Sequence, residues 1–271
     1  MAQQQLQALV LDWAGTVVDF GSFAPTQIFV DSFKKAYDFE FSIAQARAPM
    51  GLGKWQHIEA IGQIPAVAQA WVSRFGHAMT AQDIDHIYQT FMPLQVQRVG
   101  DHSDFIPGAL DAVAHARGLG LKIGSTTGYP RAVMQVLMQI AAGNGYAPDC
   151  TVCADDLQAG SRPGPWMALE CVQKLRIEAV WRCVKVDDTV PGLAEGRNAG
   201  MWTVGLALSG SPAGWTLDDY QRAGEQERQQ VRARVVAEFQ SAQPHYVIDT
   251  LQDLPAVLDT IEQRLQAGER P

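Results

Sequence analysis

Three apolar stretches of this chain stop at residues able to do phosphoryl chemistry. QALVLD ends at Asp12, LKIGSTTG ends at Thr127 and Gly128, and CVKVDD ends at Asp187 and Asp188. Asp12, with Thr16 four residues on, is a candidate nucleophile. Carboxylates from two strands, Asp12 and Asp188, can hold Mg²⁺, which prefers hard oxygen ligands and keeps some of its waters. The Ala14 backbone carbonyl is a candidate further ligand. Arg162, in AGSRPGPW, offers a planar cationic fork suited to phosphoryl oxygens. Thr127 can hydrogen-bond such an oxygen, and Gly128 lets backbone approach closely. Taken singly, each residue has a plainer explanation, since strand-end aspartates often cap helices and arginines often make surface ion pairs. Together they describe a phosphoryl-transfer site in which a metal and a cation neutralise the group that anionic Asp12 approaches.

Such residues need a frame that converges them. Each apolar run is followed by a helix-like segment, and TVCADD, MWTVGLAL and HYVIDT add further candidate strands. Strands alternating with helices imply an α/β fold with a parallel sheet, and ligands of such sheets bind beyond the carboxyl ends of the strands. Asp12, Thr127 and Asp188 are therefore expected in one crevice. Residues 22–101 read differently. PTQIFVDSFKKAYDF spaces Ile28, Phe29, Phe33 and Tyr37 along one helical face, and HIEAIGQIPAVAQAWVSRF and TAQDIDHIYQTFMPLQVQRV are also helix-like, the former interrupted at Pro65. The expected organisation is a core from 1–21 and 102–271, with a helical insert at 22–101 on hinge-like joints, GSFAP and GDHSDFIPG. WTLDDYQRAGEQERQQVRARVVAEFQ reads as a polar helix with one apolar edge, set to cover the sheet or meet a partner.

With 271 residues, 47% of them hydrophobic, the chain can bury one large core or two modest ones. A net charge of −8 argues against nonspecific nucleic-acid binding. MAQQQLQALVLDW lacks the basic start of a signal peptide, and no apolar run approaches the roughly 18 residues that span a bilayer. A soluble, cytoplasmic protein without membrane contact is expected, its four cysteines reduced. Cys150 and Cys153 have C-x-x-C spacing, but with no second pair a zinc site is not expected.

DWAGT, STTG, SRP and VDDT, in this order, resemble the four motifs of the haloacid dehalogenase superfamily. The resemblance implies a Rossmann-like, doubly wound parallel sheet, an aspartate nucleophile, Mg²⁺, and an α-helical cap inserted after the first strand. DWAGTVVDFGSFAP, ARAPMGLGKWQHI, KIGSTTGYPR, RPGPWM and EGRNAGMWTVG further resemble the phosphonatase family, over nearly the whole chain. That family implies hydrolysis of the C–P bond of phosphonoacetaldehyde, formed by transamination of 2-aminoethylphosphonate. By the same resemblance Lys54 is a Schiff-base amine, His57 a proton relay beside it, and Met50 and Tyr129 line the pocket. Homodimerisation through cap helices is implied too, with Trp71 and Phe75 as candidate contacts and core packing as their plainer role.

This answers what Ala14 does where many phosphoryl-transfer enzymes carry a second aspartate. An ester leaves through oxygen, which an acid can protonate. In the reaction that the resemblance implies carbon leaves, and a lysine iminium is the electron sink it needs. A phosphatase or phosphomutase of the superfamily would use that second aspartate. A Schiff-base aldolase would use Lys54 but not Asp12, Asp188 and Arg162, and a non-catalytic phosphonate-binding protein would not need them all. VDDT also departs from many relatives: Asp187 replaces a glycine, Gly192 an aspartate, and Ser22 stands where some carry cysteine. Asp187 is expected to assist or orient Asp188.

Overall fold

A computed structural model describes residues 5–271, so the first four residues of the N-terminal stretch read above lie outside the described residues. Six strands form one parallel sheet: β1 (Ala8–Leu11), β2 (Lys122–Thr127), β3 (Cys150–Cys153), β4 (Cys183–Asp187), β5 (Trp202–Leu206) and β6 (Tyr246–Ile248). Their order is β3-β2-β1-β4-β5-β6, so the winding reverses between β1 and β4. That reversal opens a crevice at the carboxyl ends of the two strands, where ligands of doubly wound sheets bind. In the register, Leu11 faces Ser125 on one side and Val186 on the other. Asp12 donates its backbone N–H to the Val186 carbonyl at 3.1 Å, so it emerges beside the end of β4.

β1 is buried on both faces, as a central parallel strand must be. Leu9 and Leu11 pack into one apolar cluster with α6 (Ala109–Gly118), α7 (Arg131–Gly143) and α12 (Leu254–Gln266). Ala8 and Val10 face the opposite cluster, which includes α8 (Trp166–Lys174). The two-residue alternation of a strand thus builds both outer layers. α9 (Val190–Ala199) begins just beyond the end of β4.

Between β1 and β2 the chain leaves the sheet for five helices: α1 (Phe23–Tyr37), α2 (Ile43–Arg47), α3 (Lys54–Gln63), α4 (Pro65–Phe75) and α5 (Ala81–Arg98). They share an apolar cluster of their own, including Phe29, Phe33, Trp71, Ile87 and Phe91. Pro65 is the first residue of α4, where a missing N–H costs nothing, so the break foreseen there is a helix junction. Trp71 is 1% exposed and packs on Phe33, Tyr37, Phe39 and Phe75, which gives it the core role. Asp19 caps α1, accepting the Phe23 and Ala24 N–H groups at 3.1 and 2.9 Å. The return passes through a 3₁₀ turn at Val99–His102.

The polar segment read as one helix is two, α10 (Leu217–Arg222) and α11 (Glu225–Phe239), split at Ala223 and Gly224. Its apolar edge is real: Val235 and Phe239 are buried with Leu193 and Leu208, so the segment covers the sheet. The four cysteines are free, and no helix among the described residues is long and apolar enough to cross a membrane.

Candidate active site

The strand ends bring Asp12, Thr127 and Asp188 together, as the topology requires. They line one cavity of about 20 Å³ with Ala14, Met50, Lys54, Gly128, Tyr129 and Arg162. Two layers contribute: Met50 and Lys54 come from the helical insert, the others from the sheet and its loops. After β1 the chain turns tightly, with the Trp13 carbonyl accepting from Thr16, Val17 and Val18. Gly15 sits in that turn at φ 84°, where a Cβ would lie 2.3 Å from Asp188 Oδ2. Gly128 permits the other close approach, because a Cβ there would lie 2.8 Å from the Leu52 carbonyl oxygen of the insert.

Arg162 is 6% exposed, far from the surface ion pair that its type alone suggests. Its Nη2 donates to Asp12 Oδ1 at 2.7 Å and lies 3.1 Å from Asp187 Oδ2, while Nε donates to Glu195 Oε2 at 3.0 Å. Glu195 Oε2 also accepts from Thr126 Oγ1 at 3.0 Å and lies 3.7 Å from Lys185 Nζ. Lys185 in turn donates to Asp187 Oδ2 at 2.7 Å, and Thr189 supplies two donors to Asp187 Oδ1. This buried lattice fixes the guanidinium plane against Asp12. Thr126, Lys185 and Glu195 escaped the sequence reading. The available signal was a charged residue between apolar or small neighbours, Lys185 in CVKV and Glu195 in GLAEG.

Asp12, Asp187 and Asp188 bring carboxylate oxygens within 4.8 Å of one another, all buried. Burial first, and the Asp187 charge second, push the Asp12 pKa up to about 6, against the opposing pull of Arg162 and Lys185. Burial and the charges of Asp12 and Asp187 hold Asp188 well above the usual carboxylate range, although the Ser211 N–H donates to it at 2.7 Å. Burial would raise Asp187 too, but Arg162 and Lys185 bring it below the ordinary value. Crowded, desolvated carboxylates with only oxygen donors fit a hard divalent cation, which would relieve their repulsion. Asp187 is thus both a member of the acidic cluster and a partner of Arg162.

Lys54 is the first residue of α3 and only 4% exposed. Its Nζ lies 4.7 Å from the Tyr129 ring centroid and 5.5 Å from that of Phe29. Burial lowers its pKa to about 7, with Asp12 opposing and Arg162 reinforcing the drop. A helix N-terminus is itself a poor place for a cation. His57 lies one turn on, but it does not line the cavity. Its ring stacks on Phe29 at 3.8 Å, Nε2 bonds the Ala46 carbonyl at 2.8 Å, and Nδ1 has no partner among the described residues. Burial, then the Lys54 charge, hold its pKa well below the ordinary value, so it is neutral. Thr127 Oγ1 accepts from the Tyr129 N–H at 3.1 Å, which leaves its hydroxyl proton for a ligand.

The arrangement places the Asp12 carboxylate, an arginine, acids that a divalent cation fits and a neutralisable amine around one small cavity. The model of the haloacid dehalogenase-like hydrolases matches residues 6–200. A phosphonoacetaldehyde hydrolase of Vibrio cholerae serotype O1 is 59% identical over 271 residues, covering all of both chains. One of Salmonella typhimurium is 56% identical over 267 residues, 98% of this chain and 99% of that one. A crystal structure of a phosphonoacetaldehyde hydrolase-like protein from Oleispira antarctica superposes with a TM-score of 0.95 at 40% identity, covering 98% of this chain and 96% of the other.

Proposed function

The chain belongs to the haloacid dehalogenase-like hydrolases and, within them, to the phosphonoacetaldehyde hydrolase family, and from that membership we propose that it hydrolyses phosphonoacetaldehyde to acetaldehyde and phosphate. The observation that carries this reading is the meeting of Lys54 and Asp12 in one cavity, with Ala14 where an ester-cleaving enzyme needs an acid. A pKa near 7 leaves about half of the Lys54 amine neutral at neutral pH. The amine adds to the aldehyde and water leaves, giving an iminium. Asp12 attacks phosphorus, and the C–P electron pair moves into the iminium to form an enamine. Protonation at carbon and hydrolysis release acetaldehyde and restore the amine, while water releases phosphate from Asp12.

Arg162 and Thr127 bind the phosphoryl oxygens in this reading, and Gly128 leaves room beside them. Met50 and Tyr129 wall the aldehyde. Asp12, Asp188 and the Ala14 carbonyl would hold Mg²⁺, whose charge offsets that of the phosphoryl group. His57, neutral and behind Lys54, is the candidate proton relay, acting through the amine rather than from the cavity wall. Because the reacting groups come from both layers, residues 22–101 act as a cap whose closure excludes water. A homodimer through the cap helices and a cytoplasmic setting, fed by transamination of 2-aminoethylphosphonate, complete the proposal. Val72 on α4, 44% exposed, is a better contact for a partner than the buried Trp71.

The test measures phosphate and acetaldehyde together, with and without Mg²⁺, followed by borohydride reduction of the acetaldehyde complex. Equal, metal-dependent release of both products is expected, with an ethyl group fixed on Lys54 after reduction. Hydrolysis of phosphate esters in place of phosphonoacetaldehyde would favour the phosphatase reading. A Lys54→Arg variant that still released acetaldehyde at near wild-type rate would refute the imine step.

A further inference from the structure

Beside the small catalytic cavity lies a much larger cleft of about 730 Å³. Met50 and Thr189 line both, so the two spaces adjoin. One wall comes from the end of α2 and the loop after it, the other from Ser211–Trp215 and α11. Each wall carries an arginine, Arg47 on the insert and Arg234 on α11. The Arg47 side chain makes no hydrogen bond or ion pair to any described residue, and its Nε and Nη2 are buried without a partner. Its guanidinium lies 4.9 Å from the Phe23 ring centroid, a contact that orients the plane but satisfies no donor. Arg234 donates to the Pro212 and Ala213 carbonyls at 2.8 and 3.1 Å, which fixes it without cancelling its charge. The carboxylate in the cleft lining is Glu238, and it forms an ion pair with neither arginine. Burial, and then the charge of Arg234, make Arg47 less willing to hold its proton, with Asp19 opposing. The two guanidiniums therefore repel each other across the boundary between insert and sheet.

An acidic protein that places two arginines without ion-pair partners beside its catalytic cavity has built a local attraction for anions. Unpaired buried N–H donors need a partner, and a tetrahedral dianion matches both guanidinium forks. We propose that this cleft is an anion-holding vestibule, in which Arg47 and Arg234 take the phosphonate group of arriving substrate or the phosphate of departing product. The assignment of the anion as phosphonate rests on the function proposed above; the affinity for a phosphoryl dianion does not. Bridging the arginines also draws insert and sheet together, so binding in the vestibule favours closure of the inner cavity.

The test uses the full chain and two probes, phosphonoacetaldehyde as substrate and inorganic phosphate as inhibitor. Arg47→Gln, Arg234→Gln and, as a control of equal charge change, Arg222→Gln are compared at low and high salt. Arg222 is exposed and pairs with Asp218 on α10. For the vestibule variants we expect kcat/KM to fall about tenfold at low salt, more than kcat, and the gap to shrink at high salt. The phosphate inhibition constant should rise by a similar factor. A change in kcat/KM alone assigns the site to arriving substrate, and a change in phosphate inhibition alone assigns it to departing product. No change in either for both variants, or an equal change in Arg222→Gln, overturns the proposal. If the wild-type protein does not turn over phosphonoacetaldehyde, the function is at fault. Calorimetric titration of phosphate into the same four proteins then still decides the vestibule, with weaker binding in Arg47→Gln and Arg234→Gln as the supporting result.

Discussion

Carrying Lys54 into the fold has a cost that pH should expose. Its pKa of about 7, against 10.5 for an ordinary lysine, means the folded protein sheds a proton that the unfolded chain keeps. At pH 7 this difference destabilises the fold by about 4 kcal/mol. Between pH 7 and 10.5 the unfolded chain binds more protons, so the wild-type protein gains stability as pH rises through that window. Below pH 7 both states are protonated and the penalty stays constant. Lys54→Met keeps a similar length and removes the charge. It should be more stable than wild type at pH 7, by up to about 4 kcal/mol, and the advantage should fade toward pH 10. Urea unfolding followed by circular dichroism at both pH values measures this directly, since the midpoint moves while the slope stays fixed. A stability difference that is the same at both pH values, or a variant weaker at pH 7, would show that Lys54 is an ordinary charged lysine. The proposed imine chemistry would then lose its neutral amine.

Three further outcomes follow from the site geometry. A Cβ at Gly192 would lie 2.1 Å from the Asp187 carboxyl carbon, so one side chain at most fits that space; Gly192→Asp alone should lose about 3 kcal/mol or more of stability, and Asp187→Gly with Gly192→Asp should recover most of it, as thermal melts would show. Gly128→Ala should push the Leu52 carbonyl away and lower kcat/KM about a hundredfold while barely changing the melting temperature, because misplacing Lys54 by an ångström is enough. Mg²⁺ should raise the melting temperature of wild type by relieving the repulsion among Asp12, Asp187 and Asp188, and Asp188→Asn should lose that response; equal Mg²⁺ effects on both proteins would place the cation elsewhere.

Local information determined much of this protein. Apolar runs ending in polar residues marked β1, β2 and β4, because a central parallel strand must be apolar on both faces and its carboxyl end must meet solvent or ligand, and TVCADD, MWTVGLAL and HYVIDT marked the other three strands. The same pattern marked Asp12, Thr127 and Asp188, and Pro65 marked a helix boundary through its missing N–H. Tertiary structure decided what local pattern cannot encode. Arg162 became a buried hub only because Glu195, Asp187 and Thr126 converge on it from three elements. Lys54 acquired its lowered pKa from burial between Tyr129 of the sheet and Phe29 of the insert, an environment no flanking residue specifies. Trp71 turned inward because five helices share one core, and His57 was held behind the wall by the Ala46 carbonyl. Asp187 joined the acidic cluster and the arginine lattice at once, since Gly192 leaves its carboxylate the space. Charge and type are written in sequence; desolvation and mutual distance arise only when distant segments pack.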